Sequence, residues 1–519
     1  MHDPNILEGG GNMCSQRARR AGLVGLLFMM TVCFPVTAAA QVDVSSAKNQ
    51  IYAFLDGNSG DFISTADAIW SYAELGFQEF KSAEALKKLL EKHGFAVETG
   101  VAGMPTAMVA TWGEGTPVIG FTGEYDALPG LSQKTVAHKD PVVSGAPGHG
   151  CGHNLLGTTG AAAAIALKHV MEANKIPGTL KFFGCPAEES GSAKIFLARD
   201  GIFNGTDVIL DNHPGDNFES ESGAHTSALK LLNITFTGKA AHAGSAPWDG
   251  KSAADAAAIM GVAIEHLREH LYFTHRIHYI VQQGGAWPNI VPDKVVVIAY
   301  VRDSDERLPD TYEKVLNCIK AGALASGCEY NVEVVKAYHQ KHSNDALAKL
   351  IFENMKQVGL PEWTEEEQAF AKEMQKNFEK KETGLPDEFT FTPPPAVFTG
   401  GGSTDVGEIS LIVPVATVNT PCRAKGIAGH SWGVVASGGM SIGHKGMIVG
   451  AKTLAATAID ILASPETLEK IKAEFDELTQ KTPYIPYVPK EVGPSLDLFE
   501  QEMPKWRPLM EPFYKEQKL

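Results

Sequence analysis

Two clusters in this chain have the residue types of a metal-assisted hydrolytic centre. The first is His149-Gly150-Cys151-Gly152-His153, in which two imidazoles and a thiol alternate with glycines just before a helical run. Imidazole and thiolate are ligands of borderline-soft divalent ions, and the glycines let the backbone bend close to one. A glycine-rich turn with incidental histidines would read the same way, so this cluster alone leaves both readings open. The second is Glu188-Glu189, just beyond an apolar run at 179–184. Adjacent carboxylates point differently, so one can coordinate a metal while the other moves a proton. The end of a strand is where open α/β sheets bind ligands; the bland alternative is a solvated acidic loop. His213, after the run 207–211, and His430, in Gly429-His430-Ser431-Trp432, are weaker signals of the same kind. Together the four positions reinforce one another. A rival, the G-x-S-x-G pattern Gly439-Met440-Ser441-Ile442-Gly443, fails on chain order: only His444 follows it, with no acid between.

The elements that must position these residues follow from periodicity. Helical patterns fill 64–94, the second closed by His93-Gly94. Strand-like runs at 107–112, 118–122, 179–184 and 207–210 alternate with helices at 155–173 and 193–200. That alternation predicts an α/β sheet covered by helices. Residues 230–335 read β-α-β-β-α-β, the order of a ferredoxin-like unit. The α/β pattern then resumes with a helix at 346–358, a strand at 411–418 and a helix at 445–462. A charged helix at 365–381 is expected to be exposed, and Pro393-Pro394-Pro395 to be a rigid connector. The expected fold class is α/β: a catalytic domain with a mixed sheet, split into 41–228 and 340–480. An α+β domain is inserted at 229–339, and a Pro-rich tail covers 481–519.

A length of 519 residues, 44% of them hydrophobic, fits more than one core. The net charge of −16 argues against nucleic acid and anionic membrane as partners. Arg17, Arg19 and Arg20 precede an apolar run at 21–34 and the small residues Ala38 and Ala40, the pattern of a signal peptide over 1–40 cleaved after Ala40. The expected location is therefore periplasmic or secreted. Five cysteines remain after cleavage, too few for a disulfide scaffold. Cys318 and Cys328 are read as small buried side chains in preference to a pair.

The ordered motifs Gly123-Glu124-Tyr125-Asp126-Ala127-Leu128-Pro129, His149 to Asn154, Pro186-Ala187-Glu188-Glu189, Gly238-Lys239-Ala240-Ala241-His242-Ala243 and Asn289-Ile290-Val291-Pro292-Asp293 resemble the M20 metallopeptidase family. They fall on its amidohydrolase branch, and look most like its aminobenzoyl-glutamate hydrolases. The resemblance implies a zinc-peptidase-like catalytic domain with an inserted lid and dimerisation domain. It implies two divalent ions, zinc or manganese, held by Cys151, His153, Glu189, His213 and His430, with Glu188 as general base. Asp126 would orient a ligand imidazole and His149 would shape the pocket. His242 would reach the active site of a partner copy in a homodimer and stabilise the oxyanion. Asn289 and Arg302 would hold a substrate carboxylate. The implied reaction is hydrolysis of a small N-acyl or N-aroyl amino acid. Two features depart from the pattern: Asn154 stands where many members have aspartate, removing a charge near the metals, and the export signal is unusual among aminobenzoyl-glutamate hydrolases. The competing class is an exported binding protein on the same fold, which would be expected to have lost Glu188 or a ligand; all are present.

Overall fold

A computed structural model describes residues 43–519, so the signal segment at 1–40 lies outside the described residues. Eight strands form one mixed sheet, in the order Ala96–Thr99, Met108–Glu114, Gly178–Gly184, Val118–Gly123, Val208–Gly215, Val415–Pro421, Phe218–Glu221 and Phe389–Thr392. The four central strands, Gly178–Gly184 to Val415–Pro421, are parallel, so their C-terminal ends open on one edge. Successive side chains alternate between two cores. Phe182, Leu210 and Ala416 face one apolar cluster, and Phe183, Ile209 and Val415 the other, as a sheet covered on both sides requires. The helices Val44–Gly57, His153–Asn174 and Ser441–Ala463 pack together over the first core. The central one sits very close to the sheet. A Cβ at Gly160 would lie 2.2 Å from the Thr122 carbonyl oxygen, and one at Gly157 2.6 Å from that of Glu124. Any larger residue there would push the helix, and His153 with it, off the strand ends.

Residues of the β-α-β-β-α-β segment form a separate antiparallel sheet, in the order Glu329–Tyr338, Ala228–Thr237, Lys294–Asp303 and Arg276–Gln283. The helices Ala253–Leu267 and Leu308–Ser326 pack on it around Ile234, Phe236, Val297 and Ile319. Cys318 and Cys328 are free thiols.

Three expectations need correction. The strand expected at 411–418 is Val415–Pro421; Ile412 and Val413 donate to the Ile409 carbonyl in a turn after the helix Val406–Ser410, and Pro414 has no N–H for a ladder. The helix at 365–381 is Glu365–Asn377, and it is not simply exposed: Glu367, Ala371, Met374 and Gln375 are buried. The helix Val44–Gly57 and the edge strands Ala96–Thr99 and Phe389–Thr392 were not anticipated.

Where the four-stranded sheet returns to the main one, Asp305 gathers several donors. His339 Nδ1 lies 2.8 Å from it, His342 Nε2 3.0 Å, the Gln340 N–H 3.1 Å and the Tyr487 hydroxyl 3.3 Å. Tyr487 belongs to the C-terminal tail, which is fastened here along with Tyr484, whose hydroxyl donates to Glu408 (2.8 Å). Burial would raise the Asp305 pKa, but His339 and His342 outweigh it and hold the carboxyl down to about 2. The unfolded value is about 4, so this carboxylate stabilises the fold fully above about pH 4 and ceases to as pH falls through about 2. Asp305→Asn is expected to lower stability by roughly 2 kcal/mol at pH 6. In urea unfolding the deficit should shrink as pH is lowered toward 2; a constant deficit would mean that the charge is irrelevant.

Candidate metal centre

The ligand-type residues converge at the C-terminal edge of the parallel strands. Gly152 takes φ +83°, a left-handed turn that L side chains rarely adopt. It lets the helix begin at His153 while Cys151 turns toward the strand Val208–Gly215. There the Cys151 Sγ lies 3.3 Å from His213 Nε2. His213 Nδ1 is 3.1 Å from the Pro214 carbonyl oxygen, so it carries the proton and leaves Nε2 a lone pair facing the thiol. Asp126, just past the strand Val118–Gly123, joins two segments. Its Oδ1 is 2.8 Å from His153 Nδ1, and its Oδ2 accepts from the Glu189 N–H (3.1 Å).

His430 arrives on a loop after the strand Val415–Pro421. Its N–H donates to the Gly150 carbonyl (2.8 Å), and its Nε2 is 3.1 Å from Glu189 Oε1. Arg423 braces this loop, donating to the carbonyls of Pro214 (2.8 Å) and Ile427 (2.9 Å). Ala187 and His430 both hold left-handed backbone, φ 55° and 56°, strain of a kind that collects at functional sites.

Burial drives the electrostatics. It pushes Glu188 up to about 7, with help from the charges on Glu124 and Glu189. Glu124 also rises to about 7, because burial outweighs Lys194 and His153. Burial and the neighbouring cations push His213 down to about 3, so its imidazole is neutral. Charge pairing outweighs burial at four groups. His153 keeps Asp126 low, and His430 and His153 keep Glu189 low. Glu124 and Asp126 hold His153 well above the usual histidine range, and Cys151 and Glu189 push His430 up to about 10.

The donor chemistry fits a pair of divalent ions. Cys151, His153 and His213 form one set, and Cys151, Glu189 and His430 a second; within each set the donor atoms lie within 4.8 Å of one another. Buried His153 Nε2 and Glu189 Oε1 have no hydrogen-bond partner. Each approaches a charged neighbour, Glu124 Oε2 at 3.2 Å and His430 Nε2 at 3.1 Å, without hydrogen-bond alignment, an arrangement that a bound cation would satisfy.

The same residues open on a cavity of about 440 Å³, lined by Cys151, Glu188, Glu189, His213, His430 and Arg302. Arg302 comes from the end of the strand Lys294–Asp303. The other expected residues lie elsewhere. His149 is fully buried, with Nε2 3.0 Å from the Ile69 carbonyl oxygen, and ties the loop to the helix Ser59–Tyr72. Burial lowers its pKa to about 4. His242 and Asn289 are exposed on neighbouring loops, where the Ala243 N–H donates to the Asn289 carbonyl (3.0 Å), and neither lines the cavity. Sequence reasoning missed Lys194 and Asp405 and gave Glu124 no role, yet the three form a buried ion cluster beside His153. The available signal was a lysine at the head of the apolar run Ile195-Phe196-Leu197-Ala198, five residues after Glu189.

The model of peptidase family M20/M25/M40 matches residues 120–393, more than half of the chain. The chain belongs to the M20 family. It is 36% identical to a subunit of the p-aminobenzoyl-glutamate hydrolase of Escherichia coli (strain K12), over 86% of this chain and 99% of that protein. It is 31% identical to the Xaa-Arg dipeptidase of Mus musculus, over 79% and 87%. A dinuclear metal-binding peptidase of the M20 family from Bacillus subtilis shares the fold with a TM-score of 0.54, at 17% identity over 78% of this chain and 99% of that one. The protein is therefore a hydrolase, an M20 amidohydrolase, and its mixed sheet covered by helices is the family's architecture.

Asn154, expected to alter the charge beside the metals, is occupied elsewhere. Its Nδ2 donates to the carbonyls of Gly438 (3.0 Å) and Ala66 (3.4 Å), binding the His153 helix to its neighbours. A carboxylate there would face two carbonyl oxygens with no proton to share. Asn154→Asp is expected to cost about 1–3 kcal/mol in denaturant unfolding and to leave kcat of the folded protein little changed. A large fall in kcat at unchanged stability would instead put this residue in the chemistry.

Proposed function

We propose that the protein hydrolyses the amide bond of N-acyl or N-aroyl amino acids, compounds of the aminobenzoyl-glutamate type foremost, with Glu188 as general base. One observation carries the reading. Arg302 lines the same cavity as the donor sets, its guanidinium lies 5.0 Å from the centre of the Tyr300 ring, and its Nε is buried without a hydrogen-bond partner. A guanidinium in a cavity of this size is matched by a substrate carboxylate. Cys151, His153, Glu189, His213 and His430 would hold two divalent ions, zinc or manganese. Bound ions would polarise the amide carbonyl and make a water acidic.

Glu188, not needed in either of those sets, accepts the proton of the attacking water on its carboxylate and returns it to the leaving nitrogen as the C–N bond breaks. Asp126 fixes the His153 ring and, through the Glu189 N–H, the loop that carries the base. His242 has Nδ1 occupied by the N–H groups of Gly244 (3.2 Å) and Ser245 (3.1 Å), which leaves Nε2–H as an outward donor. With Asn289 it would serve the cavity of a second copy in a homodimer, stabilising the oxyanion. The leader read at 1–40 makes this an exported enzyme, whose mature chain is expected by mass spectrometry to begin at Gln41.

Chelation should abolish turnover, with zinc or manganese restoring it. Glu188→Gln is expected to lower kcat by about 10²–10⁴-fold with metal content intact. Arg302→Met should raise KM for carboxylated substrates and leave their decarboxylated analogues unaffected. Full activity in Glu188→Ala, or activity indifferent to chelators, would defeat the assignment.

A further inference from the structure

Lys194, Asp405 and Glu124 form a buried group that the hydrolytic scheme above does not use. All three side chains are shut off from solvent. Lys194 opens the helix Lys194–Arg199, where its backbone N–H donates to Asp405 Oδ2 (3.1 Å) and its Nζ to Asp405 Oδ1 (2.6 Å). The same ammonium donates to Glu124 Oε1, also at 2.6 Å. One oxygen of Glu124 is therefore fixed by a cation that is itself fixed twice.

The other oxygen, Oε2, lies 3.2 Å from His153 Nε2. That nitrogen is fully buried and has no hydrogen-bond partner, so the two atoms are near each other without the alignment of a donor and an acceptor. Nδ1 of the same ring faces Asp126 Oδ1, so Nε2 is the ring nitrogen a metal would take. With Glu124 Oε2 turned into the same buried space, a cation must lie between ring and carboxylate, either a proton on Nε2 or a metal ion. Glu188 closes the group: donor atoms of Glu124, His153 and Glu188 lie within 4.8 Å of one another. A protonated His153 held between Asp126 and Glu124 is the purely structural alternative, and the ion count below decides between the two.

We propose that Glu124 is a direct metal ligand through Oε2, and that Lys194, held by Asp405, is the positioning residue that leaves only this oxygen free. The proposal rests on the reading of the cluster as a metal centre. Its consequence is that the two ion positions are chemically unequal. The ion at His153 gains an oxygen donor from Glu124, whereas the position at Glu189 and His430 gains none. An added carboxylate moves the first position toward harder ions such as manganese.

The test counts ions and does not depend on turnover. The full chain, loaded with manganese or zinc and dialysed, is analysed for bound metal by mass spectrometry, and manganese-loaded wild-type crystals are examined by anomalous diffraction. Glu124→Gln and Glu124→Asp should each lose one of the two ions held by the wild type, or bind it at least about 10-fold more weakly. Glu124→Asp keeps a charged partner for Lys194, so it answers the question even if the glutamine variant does not fold. Lys194→Met should weaken the same ion. In the crystals an ion is expected about 2.0–2.2 Å from Glu124 Oε2. Two ions retained in both Glu124 variants, or ions in the map beyond bonding distance of Glu124, would overturn the proposal while leaving the proposed function standing. A wild-type protein that binds no ion would defeat both.

Discussion

Glu124, Asp126, Glu188, Glu189, Asp211 and Asp405 crowd the ends of neighbouring strands, and most of them are buried. Charge taken out of water must be paired, hydrogen-bonded or neutralised, because an isolated buried carboxylate is prohibitively costly. The structure uses each of these means. Asp211 is hydrogen-bonded by Thr122 and Thr417. Asp405 takes Lys194, Asp126 takes His153, and Glu188 shifts toward its protonated form. The remaining negative charge is concentrated where the thiol and the imidazoles also point, so the same packing that costs the fold stability gathers the donors a cation would need. A divalent pair there would act on stability as well as on chemistry, since anything that binds only the folded state stabilises it.

That arrangement survives only on a rigid support. Gly157 and Gly160 let the His153 helix lie against the Val118–Gly123 strand and the residue after it, which brings His153 to Glu124 and Asp126. Gly152 supplies the turn that aims Cys151 and His153 separately. The left-handed backbone at Ala187 and His430 is tolerated because both segments are tied down: Ala187 N–H to Glu79 (2.8 Å), and His430 N–H to Gly150. Such strain persists only where surrounding contacts over-determine the conformation.

The sequence made visible what local pattern encodes. Cys151, His153 and the Glu188-Glu189 pair stand out because glycines and strand ends mark them, and the parallel core stands out because its strands are apolar runs. Lys194 and Asp405 were illegible for a physical reason: a lone lysine at a helix start and an aspartate after Gly-Gly-Ser-Thr look like solvated surface. Only the tertiary fold, which brings residues 211 apart within 2.6 Å, shows that they neutralise each other. The strand at 411–418 was misplaced because periodicity cannot separate a buried turn from a strand, although Pro414 marks the boundary. Arg302 carried no local signal at all. It sits in an ordinary alternating strand, and only the resemblance singled it out.

The position of Arg302 also constrains what the four-stranded sheet does. This strand pairs along its whole length with Ala228–Thr237, from Lys294 opposite Thr237 to Asp303 opposite Ala228. Its last residues therefore lie beside the chain segment that leads back to the main sheet. Arg302 enters the chain's own cavity from that end, while the loops bearing His242 and Asn289 leave from the opposite end, next to Thr237 and Lys294. A strand of ten residues spans roughly 30 Å. The two groups therefore cannot act on one small substrate within a single copy of this conformation. A guanidinium fixed in cis fits recognition of a carboxylate close to the scissile bond, and a histidine held at the far end can act there only on another copy's substrate or after a large closure.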